Sequence, residues 1–163
     1  MTPGFDDPAR LASSFAGVAS NTDQNGIIVR GNAPKSLQWK MEGVEIPNPS
    51  HFGDLSAIGG GTITALSTQM LANSDFFTGA FPAEYNNALS GVFDIAMRTG
   101  NNQKREHTIQ VGLLGIDASS EGPFKKEGRS SYLFNYRYST FALLAPLLPE
   151  DAGSIKYQDL SFK

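Results

Sequence analysis

The sequence predicts an α+β protein in two parts: a small domain with a mixed β-sheet and short helices, then long antiparallel strands. Three observations predict it. Up to about residue 100, short apolar runs are broken by Gly, Asn, Pro and Ser. Beyond about residue 105, apolar and polar residues alternate over stretches long enough for extended strands. A last alternation, Leu160-Ser161-Phe162-Lys163, stops with the chain, as a truncated strand would.

The elements of the first part follow in order. Ile27-Ile28-Val29-Arg30, closed by Gly31-Asn32 and Pro34, reads as a short buried strand. Ser36 to Met41 alternates, Glu42-Gly43 turns the chain, and Val44-Glu45-Ile46 returns as a hairpin. Pro47-Asn48-Pro49-Ser50-His51-Phe52 is a loop, because proline cannot donate to a central ladder. Gly59-Gly60-Gly61 is a second break, and Thr62 caps a helix over Ile63–Ala72 on the spacing of Ile63, Leu66, Met70 and Leu71. Asp75-Phe76-Phe77-Thr78 is a strand ended by Gly79, Pro82–Tyr85 starts a helical turn, and Gly91–Arg98 is another strand.

In the second part, residues 104–120 and 129–144 read as two long antiparallel strands joined by the charged turn Glu121–Gly128. Tyr132, Phe134, Tyr136 and Tyr138 share one face; Ser131, Asn135, Arg137 and Ser139 share the other, with Leu133 the one exception. Such a strand buries its apolar side against another sheet in water, or against lipid with the polar face toward an aqueous lumen. Two strands cannot close a barrel, which needs about eight.

Composition excludes several classes. With 163 residues the chain is one domain, or one and a fraction. An apolar content of 40% is too high for a disordered chain, and a net charge of −3 leaves no footprint for nucleic acid. The absence of Cys removes disulfides, thiolate metal sites and a cysteine nucleophile. The acidic start Met1–Asp7 is no signal peptide, and no stretch reaches the length of a transmembrane helix. Enzyme readings find no support: nucleophile-elbow, zinc-protease and dinucleotide motifs are missing, and His51 and His107 lack a triad pattern. No metal or cofactor is expected. Gly59-Gly60-Gly61-Thr62 lacks the Gly-Lys-Ser/Thr ending of a phosphate loop. The pairs Asp6-Asp7 and Glu150-Asp151 read as solvated turns. Trp39, the single Trp, could form a stacking platform for a ligand, although core packing is the commoner use. Asn48, Ser50 and His51 are candidates to face a ligand from the Pro-rich loop.

Several segments together resemble the plug domain of TonB-dependent outer-membrane receptors. Ile27–Asn32 is similar to the plug strand ending in Arg-Gly, and Trp39–Pro47 to the hairpin that follows, with Glu42 where the family has Asp. Phe77–Tyr85 followed by Leu89–Ile95 is similar to the closing plug motif, with Asn86 and Ser90 where the family often has Gly. The segments Phe81-Pro82-Ala83-Glu84-Tyr85 and Asn48-Pro49-Ser50-His51-Phe52 most resemble receptors of the Bacteroidetes type. The resemblance implies a plug over residues 1–102 and the first strands of a transmembrane β-barrel over 103–163.

The family's function would then be energised uptake of a scarce small or oligomeric solute across the outer membrane. Its partners would be the barrel itself, a surface lipoprotein in some receptors, and TonB through a box upstream of this chain, since residues 1–8 offer none. The resemblance makes Arg30 a latch to barrel carboxylates, and gives Gly31, Gly43, Gly79, Tyr85 and Gly91 structural roles in the motifs. The rival expectation, from another class, is a soluble β-rich adhesion or carbohydrate-binding module.

Overall fold

Apolar side chains at alternate positions of short segments must find a common interior, and here a buried cluster gathers from strands within the first hundred residues. A computed structural model describes residues 12–20, 26–52, 63–112, 115–126, 128–140 and 156–163. The chain divides into two compact units, Met1–Met97 and Arg98–Lys163.

In the first unit, β1 (Val18–Ser20) pairs antiparallel with β2 (Ile27–Val29). A four-stranded mixed sheet contains β3 (Leu37–Met41), β4 (Val44–Ile46), β7 (Asp75–Phe77) and β8 (Gly91–Ile95), in the order β4-β3-β8-β7. Only the β3–β8 pairing in it is parallel, with Trp39 opposite Phe93. A further antiparallel pair joins β5 (Ser50–His51) to β6 (Ile63–Thr64). Short 3-10 turns lie at Pro34–Ser36 and Thr68–Met70.

Alternation explains the core. Trp39, Phe93, Leu37 and Ile95 come from the two central strands, and Ile27, Val29, Ala12 and Leu71 close the cluster. The Trp39 and Phe93 rings stack 4.4 Å apart, 6° from parallel, and Phe76 tilts onto Phe93 at 4.3 Å. Stacked pairs of this kind contribute about 0.5–1.5 kcal/mol beyond their buried area.

Two turns have a shared design. Arg30 and Gly31 have φ of 51° and 82°, and Glu42 and Gly43 have 52° and 81°. Two successive positive φ values mark the primed turn whose twist suits a hairpin. The first is closed by the Asn32 N–H donating to the Val29 carbonyl at 3.0 Å.

The helix expected over Ile63–Ala72 does not form. Ile63 and Thr64 extend to pair with His51 and Ser50, and only Thr68–Met70 coils. Hydroxyls decide the outcome: Thr64 Oγ1 accepts from the Leu66 N–H at 3.2 Å, and Ser67 Oγ from the Gln69 N–H at 3.3 Å. Side-chain capture of this sort competes with a helical ladder, and a ten-residue helix is marginal alone. Gly59-Gly60-Gly61, Thr62, Asp6-Asp7 and Glu150-Asp151 lie outside the described residues.

The described residues of the second unit form an antiparallel sheet of β9 (Glu106–Val111), β10 (Gly115–Pro123), β11 (Ser131–Ser139) and β12 (Gln158–Phe162), in the order β12-β11-β10-β9. The expected single strand over 104–120 is instead two. Gly112 N–H donates to the Gly115 carbonyl at 2.9 Å and reverses the chain, so Ile116 pairs with Val111. The blurred alternation at Leu114, between two glycines, was the sequence sign of that turn. The second expected strand is β11, and the short terminal alternation is β12.

Gly91 begins β8 with no room for a side chain. A Cβ there would lie 2.8 Å from Leu37 Cδ1 and 3.0 Å from the Phe77 carbonyl oxygen. Gly91→Ala should therefore destabilise the first unit by about 1–3 kcal/mol, through overpacking against backbone. Urea denaturation followed by Trp39 fluorescence reports on that unit, because Trp39 is the only Trp. An unchanged midpoint would contradict the close packing.

Candidate functional site

Pairing across an antiparallel sheet puts opposed residues on the same face, so the register sorts the second unit into two surfaces. One surface carries Val111, Ile116, Tyr138 and Gln158 in one row, and Ile109, Ala118, Tyr136 and Leu160 in the next. The other carries Gln110, Asp117, Arg137 and Asp159, then Thr108, Ser119, Asn135 and Ser161.

Burial runs opposite to that of a soluble sheet. On the apolar surface Ile109 is 76% exposed and Leu160 69%, whereas on the polar one Asn135 is 1% exposed and Ser139 0%. Val111 and Phe162 are open as well. Ordinary half-buried strands show the reverse, apolar in and polar out.

The covered polar side chains meet their hydrogen-bonding needs. Arg137 directs Nε and Nη2 at Asp159 Oδ2, at 3.2 and 2.9 Å, and its guanidinium lies 5.7 Å above the Tyr157 ring. Asn135 donates to the Asp117 carboxylate. A buried ion pair is tolerable only when both partners are present, and removing one costs about 3–5 kcal/mol.

In the first unit the residues singled out by sequence fall into three places. Arg30 is exposed, and its guanidinium lies against Gly79, where a Cβ would come within 2.7 Å of Nη1. Among the described residues, Arg30 forms no ion pair. Gly31 shares its turn, and Gly43 closes the β3–β4 hairpin.

Tyr85 is buried beside Phe77, with ring centroids 5.3 Å apart and Lys40 Nζ 4.6 Å from the Tyr85 ring centre. Its hydroxyl donates to Asp94 Oδ2 at 2.7 Å. The turn that delivers it is closed by the Tyr85 N–H donating to the Pro82 carbonyl at 3.0 Å.

The Pro-rich loop forms the third place. Asn48 Oδ1 accepts from the Ser50 N–H at 3.1 Å, an Asx turn that leads into β5, and His51 is half-buried with its ring 6.1 Å from that of Phe52. Trp39 is elsewhere, buried and stacked on Phe93, in the core use of the residue.

The polar network went largely unnoticed in the sequence. Asn135 and Arg137 were visible as alternating polar residues, but Asp117 and Asp159 gain meaning only once the turn at Gly112 and the β11–β12 register are known. No metal-binding group of His, Asp and Glu occurs among the described residues.

No family model matches the sequence, and no curated protein does. Solved structures do match in fold. A mutant ferric enterobactin receptor from Pseudomonas aeruginosa aligns with 98% of this chain at a TM-score of 0.55 and 13% identity. Another mutant of that receptor, in complex with enterobactin, aligns with 98% at 0.53 and 16% identity. A third aligns with 96% at 0.52 and 14% identity. The chain spans 28% of the length of the first two and 27% of the third. Over that stretch its fold is similar to theirs, a plug-like mixed domain followed by antiparallel strands.

The Tyr85–Asp94 contact sets a pH dependence. Donation to Asp94 holds the proton on the phenol, with burial second, and pushes its pKa from 10.0 to about 12. A raised folded pKa means that the stabilisation is fully present below pH 10 and is lost as pH rises through about 12. Ultraviolet titration should show a late-ionising tyrosine that disappears in Tyr85→Phe. The stability difference between the two proteins should be constant below pH 10.0 and narrow toward about pH 12. A wild-type titration equal to that of Tyr85→Phe plus one ordinary tyrosine would contradict the hydrogen bond.

Proposed function

We propose that this chain is the plug and first barrel strands of a TonB-dependent outer-membrane receptor, with the plug over residues 1–102 and barrel strands over 103–163. The plug gates the barrel and helps to bind a scarce small or oligomeric solute for energised uptake into the periplasm. The observation that carries this proposal is the inverted sheet of the second unit, with Ile109, Val111, Tyr136 and Leu160 open on one face and Ser119, Asn135, Arg137 and Ser139 covered on the other. Lipid satisfies the first and a filled lumen the second. Strands of nine residues in β10 and β11 match the length that crosses a membrane when tilted. A soluble adhesion or carbohydrate-binding module would instead bury the rows of Ile109, Tyr136 and Leu160.

Residue roles follow from the same proposal. Arg30 is the latch to barrel carboxylates; its left-handed backbone, φ 51°, holds a long cation at the tip of a tight turn. Strain at a non-glycine residue often accompanies function. Asn48, Ser50 and His51 present the loop that faces the solute, and Gly31, Gly43, Gly79, Tyr85 and Gly91 shape the plug. The protein resides in the outer membrane, its plug toward the lumen and periplasm. TonB acts through a segment upstream of this chain, and a surface lipoprotein is a further partner. The Phe81–Tyr85 and Asn48–Phe52 segments support a receptor of the Bacteroidetes type.

Two experiments test these roles. Arg30→Glu in the intact receptor should disturb plug seating or uptake while the barrel still assembles, because the reversed charge repels the carboxylates that the latch would pair with. Wild-type uptake by that variant would overturn the latch. Ile109→Arg should destabilise the folded receptor in bilayers by about 2–4 kcal/mol if Ile109 lies near the midplane, whereas Thr108→Arg on the opposite face should change little. Equal effects, or a larger one at Thr108, would contradict a lipid-facing Ile109.

A further inference from the structure

Glu106 and Glu121 face each other directly across β9 and β10. Like charges in that position push strands apart. The segment just before β9 supplies the compensation. Arg98 Nη1 lies 2.7 Å from Glu121 Oε2, and the Asn101 N–H donates to the same oxygen at 2.7 Å. Asn101 Nδ2 donates to Glu106 Oε2 at 2.6 Å, and Lys104 Nζ lies 2.8 Å from Glu106 Oε1. Asn101 Oδ1 also accepts from the N–H groups of Gln103 and Lys104, at 2.9 and 3.2 Å, which folds the segment onto itself.

Two glycines make the seat. A Cβ on Gly100 would lie 2.1 Å from the Tyr132 carbonyl oxygen, and one on Gly122 would lie 2.6 Å from Arg105 Cγ and 3.1 Å from its Cα. Backbone therefore rests on backbone at one end, and the Arg105 stem covers bare backbone at the other. The residue before Arg98 is fastened elsewhere: the Met97 N–H donates to Glu42 Oε1 at 2.7 Å, and Met97 bridges Leu71. Both contacts lie within the first unit.

We infer that residues 98–105 form a strap buckled by Glu121 and Glu106, which clamps the edge strand β9 to β10. The strap neutralises the opposed glutamates, so opening it weakens the β9–β10 pairing as well as freeing the segment.

Hydrogen exchange and trypsin cleavage after Lys104, measured on the full chain in detergent, test the strap. Glu121→Gln and Arg98→Gln should each speed exchange at Asn101, Gln103 and Lys104 and cleavage after Lys104 by about tenfold, the usual consequence of weakening one charged hydrogen bond. Amides of β9 should quicken too, while those in the β10–β11 ladder stay unchanged. Should Glu121→Gln loosen β10 itself, Arg98→Gln decides, because Arg98 lies outside every strand. Unchanged exchange and cleavage in Arg98→Gln would overturn the strap. These readouts do not involve transport, so failed uptake by Arg30 variants and failure of the strap remain separate results.

Discussion

Covering Arg137, Asn135 and Ser139 on one side of a sheet while Ile109, Val111 and Leu160 stand open on the other is unfavourable in water twice over. Covered polar groups cost energy unless each is paired, and a contiguous apolar surface invites association. The first cost is offset locally by the Arg137–Asp159 pair and the Asn135–Asp117 bond. The second has no remedy within the described residues, and a hydrocarbon environment would remove it. Strand register is the root of both, since a slip of one residue would exchange the two faces. The turn at Gly112–Gly115 and the β10–β11 connection fix that register.

The first unit solves a different problem. Its strands are short, between two and five residues, so no single ladder holds it together. Aromatic stacking through Trp39, Phe93 and Phe76 and two primed turns hold a small sheet with a parallel central pair. Polar residues then complete the loops from within, as Asn48 does for Ser50 and Tyr85 for Asp94. A domain built this way presents many backbone turns and few long edges, which suits a body packed among other polar surfaces.

Much of this was legible in the sequence because the signals were local. Gly after Arg30 and after Glu42 marked the turns, and the run Tyr132–Tyr138 marked β11 and its two faces. The helix over 63–72 failed because apolar spacing does not register what hydroxyls do; Thr64 and Ser67 took the N–H groups that a helix would have used. The fusion of β9 with β10 failed because the turn is short, and only a brief blur in the alternation between two glycines marks it. The ion pair Arg137–Asp159 joins residues 22 apart in sequence, and the Glu106–Glu121 buckle depends on a register between two strands. No local pattern encodes either. The direction of burial was likewise open in the sequence, which allowed the aromatic face to be covered by a sheet or by lipid.

The most direct test of an inverted sheet is a nitroxide scan along β9 and β11 of the intact receptor in bilayers, read with oxygen, which concentrates in lipid, and a water-soluble nickel chelate. Oxygen accessibility should peak at positions 109, 111, 134 and 136 and fall at positions 108, 110 and 135, in a two-residue rhythm. Nickel accessibility that peaks at 109, 111, 134 and 136, with oxygen low there, would place the apolar face in water and contradict the barrel-wall assignment.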